Sequence, residues 1–301
     1  MAGTSVPRVV VVTRQTEYDA LIARQGTRGQ AAFFLERRAQ SIAPLEQGDV
    51  AFDAALATVL GAIPTEWRRA RVDRADLDRF LFEPDDIVVA VGQDGLVANA
   101  AKYLTGQPVI GCNPDPARYE GVLVRHPPES AGALLARAAR STAELLVQER
   151  VMVEAVLDDG QRLLALNEIF VGHASHQSAR YTVAAGNQSE RQSSSGIVVT
   201  TGTGATGWGR SISLERHSGI ALPAPDEPAL AYFVREAWPS VTSGASLTEG
   251  RLDSPGSLAV TSEMNQGGTV FGDGIETDRL EFGWGRRVEV RVARERLRLV
   301  L

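Results

Sequence analysis

Residues 87–95 read IVVAVGQDG, and this stretch decides the fold. Its first five residues form a short, uninterrupted apolar run rich in β-branched side chains, which is typical of a strand buried on both faces of a parallel sheet. Two glycines then flank one carboxylate, Asp94, and a helical pattern follows from Leu96 to Leu104. Glycines at a strand-to-helix turn let the backbone approach a phosphate. A carboxylate would repel that phosphate, so Asp94 indicates a base for a hydroxyl or a partner of Mg²⁺; an ordinary Asp-Gly turn is the alternative.

The composition limits the class of protein. A chain of 301 residues that is 44% hydrophobic can bury a sizeable core and is long enough for two domains. A net charge of −6 argues against nucleic acid or an anionic membrane as the main partner. The single cysteine, Cys112, excludes an internal disulfide and fits a reducing compartment. No stretch reaches the roughly 18 apolar residues of a membrane span, and Met1 to Arg8 lack an apolar leader, so we expect a cytoplasmic protein.

Buried-strand patterns alternate with helical patterns in the first part of the chain. Further buried strands are predicted at 9–13 and 109–111, with helical periodicity between them. Such alternation predicts an α/β domain with a parallel, doubly wound sheet. In these sheets ligands bind beyond the carboxyl ends of the strands, which is where Asp94 and Asn113 fall.

The pattern changes after Pro127-Pro128, which we take as the domain boundary. The sequence predicts an α/β domain over 1–127 and a β-rich domain over 128–292, opening with a helix from Glu129 to Gln148. The short strands predicted in the second domain are 151–157, 162–166, 181–185, 196–200, 258–261, 268–271 and 288–292.

A glycine-rich loop follows the predicted strand at 197–199. Residues 202–207 match the dinucleotide fingerprint G-x-G-x-x-G, which requires a βαβ unit and an acidic residue about 20 positions later. Glu227 has that spacing but lies in a proline-rich loop within a β-rich region, which disfavours a Rossmann site. A loop that binds ribose and phosphate oxygens is one alternative, and a structural glycine loop is the other. The threonines that would serve such binding are Thr201, Thr203 and Thr206.

Two polar pairs are further candidates. Asn167-Glu168 place an amide beside a carboxylate at a strand end, where they could bind a base edge or a ribose diol; a turn or cap is the alternative. His173 and His176 lack both i,i+4 spacing and a neighbouring carboxylate, so we interpret them as surface residues and predict no protein-bound metal. Cys112 follows a buried strand and is more typical of the core than of a nucleophile.

Five segments together, in this order, resemble the NAD kinases, and in particular their divergent mitochondrial-type branch. The first resembles the Gly-Gly-Asp-Gly motif, the third the Asn-Glu motif, the fourth the glycine- and threonine-rich NAD loop, and the last the late Asp-Gly turn. The segments are 92–95 (GQDG), 108–121 (PVIGCNPDPARYEG), 166–172 (LNEIFVG), 194–208 (SSGIVVTTGTGATGW) and 271–274 (FGDG).

The resemblance implies transfer of the γ-phosphoryl group of ATP, with Mg²⁺, to the adenosine 2′-hydroxyl of NAD. It also implies a two-domain NAD kinase-like fold whose last segment, about 293–301, returns to the first domain, and a homodimer or homotetramer. Asp94 would act as the base or organise the metal, while Gly92 and Gly95 would shape the phosphate turn. Trp208 would stack near a base or ribose, or else belong to the core. The residues implied in holding NAD are Asn167, Glu168, Thr201, Thr203, Gly204 and Thr206.

The sequence departs from the family at three positions. Gln93 replaces a glycine, and glutamine adopts a positive φ at a cost. Leu96 stands where a threonine is expected, which removes a hydroxyl donor to the triphosphate. Ser178 occupies the position of the family's second-domain arginine, for which Arg180 on the same strand face could substitute. Two other functions stay open: a kinase of another hydroxyl acceptor, and a non-catalytic NAD(P)-binding regulator.

Overall fold

The computed structural model describes residues 7–140 and 145–301, which form two compact units. The first unit comprises Met1–Gln148 with Arg298–Leu301, and the second comprises Glu149–Leu297. The return of the chain's last residues to the first unit follows from this division.

The helices of the described residues are α1 (Glu17–Gln25), α2 (Arg28–Glu36), α3 (Ala43–Ala62), α4 (Asp94–Ala101), α5 (Ala131–Arg140) and α6 (Trp208–Glu215). The first eight strands are β1 (Arg8–Thr13), β2 (Arg68–Asp73), β3 (Ile87–Val91), β4 (Pro108–Cys112), β5 (Val147–Leu157), β6 (Arg162–Ala165), β7 (Glu168–His173) and β8 (Ala179–Ala185). The remaining strands are β9 (Gln188–Ser194), β10 (Ile197–Thr200), β11 (Ala229–Val234), β12 (Glu249–Asp253), β13 (Ser257–Ser262), β14 (Gly268–Gly272), β15 (Ile275–Glu281) and β16 (Arg287–Val300).

The first unit is built on a parallel sheet in the order β2-β1-β3-β4. Arg298 and Leu299 at the end of β16 continue it, pairing with β4 in parallel. The chain leaves β1 toward one side for β2 and then crosses to the other side for β3, so the strand order reverses between β1 and β3. In open α/β sheets this switch point forms the ligand crevice at the carboxyl ends of the strands.

Helices cover both faces of this sheet, as the apolar run at 87–91 predicts. All five residues of β3 are buried, and their alternate side chains point to opposite faces. One face packs against α3 and α5 through residues such as Leu56 and Leu135, while α4 contacts β1, β3 and β4. The predicted fold class of the first unit is therefore confirmed.

Helix α5 belongs to the first unit. Its Leu134 and Leu135 pack in the same core as β1 and β3, so the division between the units follows the helix, at Gln148. The predicted helix from Glu129 to Gln148 is shorter in the structure, since β5 begins at Val147; residues 141–144 lie outside the described residues.

The second unit packs two antiparallel sheets face to face. One contains β16, β13, β8 and β9 with the β5–β6 hairpin, and the other has the order β12-β11-β10-β7-β14-β15. Inward side chains such as Tyr181, Val199 and Val260 form their shared core. On the outer face of the second sheet, α6 covers Val198 and Phe233. In the part of the chain described here, no helix combines the length and the apolar character that crossing a membrane requires.

Candidate functional site

The turn at residues 92–95, called the GQDG turn below, connects β3 to α4 at the carboxyl end of the strand. Gly92 has φ of +156°, and Gln93 is the N-cap of α4 with φ of −102° and ψ of 167°. This extended conformation suits any residue, so glutamine replaces the family's glycine here without backbone strain. The expected cost of a positive φ at Gln93 does not arise.

Asp94, the first residue of α4, binds three consecutive backbone N–H groups. Its Oδ1 accepts hydrogen bonds from the N–H groups of Leu123 (2.7 Å) and Val124 (3.0 Å), and its Oδ2 accepts one from Val122 (3.0 Å). These bonds fix both the carboxylate and the loop that faces it. A carboxylate offers about four acceptor sites, which leaves Asp94 capacity for one further donor, such as a substrate hydroxyl.

Gly95 lies in the first turn of α4 and is exposed. A Cβ added there would have no heavy atom within 4 Å, and its backbone φ is not left-handed. Neither packing nor conformation therefore requires glycine at this position, which leaves the approach to the helix N-terminus open.

Asn113 stabilises the loop that follows β4. Its Nδ2 donates to the carbonyl of Tyr119 (2.9 Å), and its Oδ1 accepts from the N–H of Asp115 (3.0 Å). The side chain is buried, so the structure engages it in local hydrogen bonds beyond the strand end.

Beside the GQDG turn lies a small cavity of about 60 Å³. Its lining includes Arg14, which follows β1, and Arg118. Arg14 Nη1 lies 3.5 Å from Gln93 Oε1. Sequence reasoning missed Arg14; the signal that could have found it was a basic residue directly after a buried strand.

In the second unit, the loop at residues 201–207, called the threonine-glycine loop below, binds the segment before β7. Thr200 at the end of β10 pairs with Glu168 at the start of β7, which brings the two segments together. Thr201 Oγ1 donates to the carbonyl of Leu166 (2.6 Å), and its N–H donates to the carbonyl of Asn167 (2.9 Å). The sequence-predicted Asn-Glu pair and the threonine-glycine loop are therefore neighbours.

Asp273 fixes the same segment from the other side. It has φ of +54° in the turn between β14 and β15. Its carboxylate accepts from three consecutive N–H groups, those of Leu166 (2.8 Å), Asn167 (2.7 Å) and Glu168 (3.4 Å). Three segments far apart in sequence thus meet at Asn167-Glu168.

Glu168 is the electrostatically unusual residue of this group. Burial raises its pKa to about 7, with a further contribution from the negative charge of Asp273. A carboxyl group with a pKa near 7 changes its charge close to neutral pH.

Packing requires two of the three glycines of the threonine-glycine loop, Gly202 and Gly204. A Cβ on Gly202 would overlap the carbonyl of Ala224, and one on Gly204 would overlap the carbonyl of Asn167. Close backbone approach therefore explains both residues, as the structural interpretation of this loop expects.

The three threonine hydroxyls of this loop differ in exposure. That of Thr201 is buried and accepts from the N–H groups of Thr203 and Gly204. That of Thr203 is buried and lies 3.4 Å from Nη1 of the buried Arg150, which the sequence did not single out. Thr206 is exposed and donates to the carbonyl of Thr203. The hydroxyls of Thr201 and Thr206 therefore stabilise the loop itself, whereas that of Thr203 contacts a residue of β5.

Trp208 begins α6 and stacks on Phe170, with ring centroids 6.1 Å apart and planes 12° apart. The guanidinium of Arg235 lies 5.5 Å from the Trp208 ring. These side chains, with Phe271, line a cavity of about 240 Å³ on the outer face of the sheet.

The structure places Arg180 away from Glu168. It is exposed on β8 and lines a cavity with His173 and His176, at the opposite end of β7 from Glu168. Glu227, the acid considered for a Rossmann fingerprint, forms an ion pair with Arg251.

Across residues 7–140 and 145–301, no cluster of three or more potential metal-ligating acids, histidines or cysteines occurs. Cys112 is buried in the first unit, and burial raises its thiol pKa to about 12, so it is not a thiolate nucleophile at neutral pH.

No family model matches the sequence. Among curated proteins, the chain is similar to the mitochondrial NAD kinase 2 of Rattus norvegicus, at 29% identity over 55% of this chain and 57% of that protein. It is 26% identical to the NAD kinase of Chlorobaculum tepidum over 54% of this chain and 53% of that protein. The chain thus spans a little over half the length of the curated relatives it matches. These matches confirm the resemblance to NAD kinases, including the mitochondrial-type branch.

Two solved structures share the fold. Yeast NADH kinase complexed with NADH superimposes with a TM-score of 0.62 at 13% identity, covering 98% of this chain and 84% of that one. The NAD kinase of Archaeoglobus fulgidus in complex with ATP gives a TM-score of 0.59 at 17% identity, covering 98% and 93%. The chain therefore has the two-domain NAD kinase-like fold.

Proposed function

We propose that this chain, which resembles NAD kinases in sequence and has their fold, transfers the γ-phosphoryl group of ATP to the adenosine 2′-hydroxyl of NAD. The observation that carries the proposal is the meeting of three separate segments at Asn167-Glu168, where Thr201 and Asp273 fix the backbone from opposite sides. The segments that meet are those that the resemblance assigns to NAD.

In this proposal the second unit binds the dinucleotide. Asn167 and Glu168 hold ribose hydroxyls, and Thr203, Gly204 and Thr206 present the loop to the ribose and phosphates. Thr201 supports that loop from within, and Trp208 stacks on a planar group of the ligand. For Arg180 we propose only a peripheral contact with bound dinucleotide, since it lies with His173 and not with Glu168.

In the first unit, Asp94 accepts the proton of the attacking 2′-hydroxyl. Its three backbone hydrogen bonds hold the carboxylate in place, so its remaining acceptor site has a fixed direction. Gly92 and the open surface at Gly95 admit the phosphate chain, and Asn113 holds the neighbouring loop.

Mg²⁺ neutralises charge on a transferring phosphate chain and is commonly held by one or two carboxylates together with the phosphates. The lack of a three-ligand cluster among the described residues suits an ion that arrives with ATP. Asp94 in the GQDG turn and Asp115, which lines the cavity beside that turn, are carboxylates that could contact it.

A non-catalytic NAD(P)-binding function is the second candidate, and one observation favours it. Because Asp94 binds three backbone N–H groups, the chain has a structural reason to keep this carboxylate even without catalysis.

An assay with NAD and Mg-ATP, coupled to an NADP-specific dehydrogenase, separates the two candidates. We expect NADP⁺ to form in proportion to enzyme and ADP to appear in equal amount. If NAD raises the melting temperature while NADP⁺ never forms, the non-catalytic function is correct. If ADP forms with another alcohol and not with NAD, the acceptor is different.

We propose a cytoplasmic location, because the single cysteine allows no internal disulfide and fits a reducing compartment. On the resemblance we also propose a homodimer or homotetramer, which light scattering of the purified chain would measure.

A further inference from the structure

The strand order places Arg14 at the ligand crevice of the first unit. Val12 of β1 lies beside Ala90 of β3, and continuing this register sets Arg14 beside Gly92. The sheet order reverses between these two strands, so their carboxyl ends border the crevice expected to hold ligand.

The guanidinium of Arg14 is poorly satisfied for a half-buried cation. Among the described residues it forms no ion pair, and its Nη1 approaches the neutral amide oxygen of Gln93 at 3.5 Å. By contrast, Arg118 in the same cavity donates to the carbonyl of Pro44 (2.9 Å) and lies 3.9 Å from Asp115. A partly buried cation without an ion-pair partner is costly, which favours an anionic ligand beside Arg14.

The cavity has room for part of a phosphate chain and is too small for a nucleoside. One water needs about 10–15 Å³ on this scale, so about 60 Å³ holds only a few waters. Its lining also carries Glu17, Asp49 and Asp115, whose charges oppose a bare polyanion. A magnesium-complexed phosphate would meet both requirements, since carboxylates of the lining could contact the cation and Arg14 could donate to the phosphate.

We propose that Arg14, oriented by Gln93, binds the phosphate chain of the donor. The glutamine that stands in place of a glycine puts its amide oxygen 3.5 Å from the guanidinium, which leaves the other guanidinium N–H groups for a phosphate. The inference rests on the proposed function for the identity of the donor.

The test is the affinity of the full chain for Mg-ATP and for magnesium tripolyphosphate, which has no nucleoside, measured by calorimetry. In the variant Arg14→Met the aliphatic stem, which lies along Gly92, is preserved and the charge is lost. We expect its dissociation constants for both probes to rise about tenfold or more, and Arg14→Lys to recover part of the loss. Gln93→Glu pairs Arg14 with a carboxylate, and we expect it to lower the affinity for both probes by a similar factor.

Arg24→Ala is the matched control, because this exposed arginine in the last turn of α1 lies outside the cavity. We expect both affinities to stay within about twofold of the wild type. NAD affinity and melting temperature, measured in every variant, separate a lost contact from a lost fold. Should Arg14→Met misfold, Gln93→Glu still tests the pair.

The outcomes separate this inference from the proposed function. If the wild type forms NADP⁺ while Arg14→Met and Gln93→Glu keep wild-type affinity for both probes, the inference is wrong and the function stands. If the wild type forms no NADP⁺ but binds tripolyphosphate in an Arg14-dependent way, the function is wrong and the phosphate site stands. A wild type that binds neither probe overturns the inference.

Discussion

The GQDG turn and the threonine-glycine loop use the same stabilising contact but differ in what their glycines do. In each region a carboxylate binds three consecutive backbone N–H groups: Asp94 binds those of residues 122–124, and Asp273 binds those of residues 166–168. Gly204 is required because the backbone of Asn167 occupies the space of a side chain, whereas Gly95 faces open space.

The difference separates residues whose identity is explained by packing from residues whose identity requires another explanation, such as a ligand. Packing accounts for Gly202, Gly204 and Thr201, so these residues would be needed in a protein of this fold with any activity. Packing does not account for Gly95 or for the half-buried cation of Arg14. The residues whose identity packing does not explain, Gly95 and Arg14, lie in the first unit, and this is where we propose that the phosphate chain binds.

The largest expected effect is that of Asp94→Asn on turnover. An amide cannot accept the proton of the 2′-hydroxyl, so we expect kcat to fall by about 10²-fold or more while NAD affinity stays. Asp273→Asn is the matched control, because it makes the same change at a carboxylate with the same backbone contacts. Both variants should lower the melting temperature by similar amounts, but only the first should lose most of its turnover. Equal turnover in the two variants would remove Asp94 from the mechanism.

Gly204→Ala tests the packing role in the second unit. The added Cβ would overlap the carbonyl of Asn167, and backbone overlap must be relieved by shifting the loop. We expect the free energy of unfolding to fall by about 2–4 kcal/mol, measured by urea denaturation. A variant as stable as the wild type would show that the loop has room and that this glycine serves the ligand.

Gly95→Ala is expected to change the KM for ATP without lowering the stability of the protein. The new methyl group meets no atom of the chain, and alanine favours a helix over glycine by up to about 1 kcal/mol, so stability should hold or rise slightly. The methyl group would narrow the approach to the helix N-terminus, and we expect the KM for ATP to rise about tenfold. An unchanged KM would mean that phosphate does not pass this position.

The smallest effect concerns pH and Glu168. Its folded-state pKa of about 7 lies above the ordinary 4.5, so the unfolded chain releases this proton first. The free energy of unfolding should therefore fall as pH rises from about 4.5 to about 7, and Glu168→Gln should remove this part of the pH dependence.

In the proposed function the same proton also governs NAD binding, because an ionised carboxylate is a stronger acceptor for ribose hydroxyls than a neutral carboxyl group, which donates with its own O–H. We expect NAD affinity to increase severalfold between pH 6 and pH 8 in the wild type and to stay flat in Glu168→Gln. An affinity that falls over this range would contradict a ribose contact by ionised Glu168.

Much of the fold follows from local patterns. The apolar runs of β1, β3 and β4 predict the parallel sheet, and the turn after Leu157 predicts the β5–β6 hairpin. Strand β9 is not predictable in this way, since Gln188–Ser194 is a polar sequence that is a strand because it pairs with β8 along its whole length. Its Ser194 is buried and forms a hydrogen bond with Tyr181, a tertiary contact that the local sequence does not reveal.

The site was predictable as a set of segments but not as a set of contacts. The motifs identify Asp94, Asn167 and the threonine-glycine loop, since each follows a strand. Asp94 binds N–H groups 28–30 positions later in the sequence, and Asn113 donates to a carbonyl of the loop that follows it. Both contacts depend on how the chain returns to the sheet edge. Arg14 lies far from Gln93 in sequence, and only the parallel register of β1 and β3 sets them side by side.

The most direct test of the account is single-turnover transfer from γ-³²P-labelled Mg-ATP to NAD by the purified chain, followed by location of the label. We predict that the label appears in NADP⁺ as a phosphate on the adenosine 2′-oxygen, and that Asp94→Asn forms it at least about 10²-fold more slowly. Bound NAD that never acquires the label, under conditions where Mg-ATP also binds, would contradict the account.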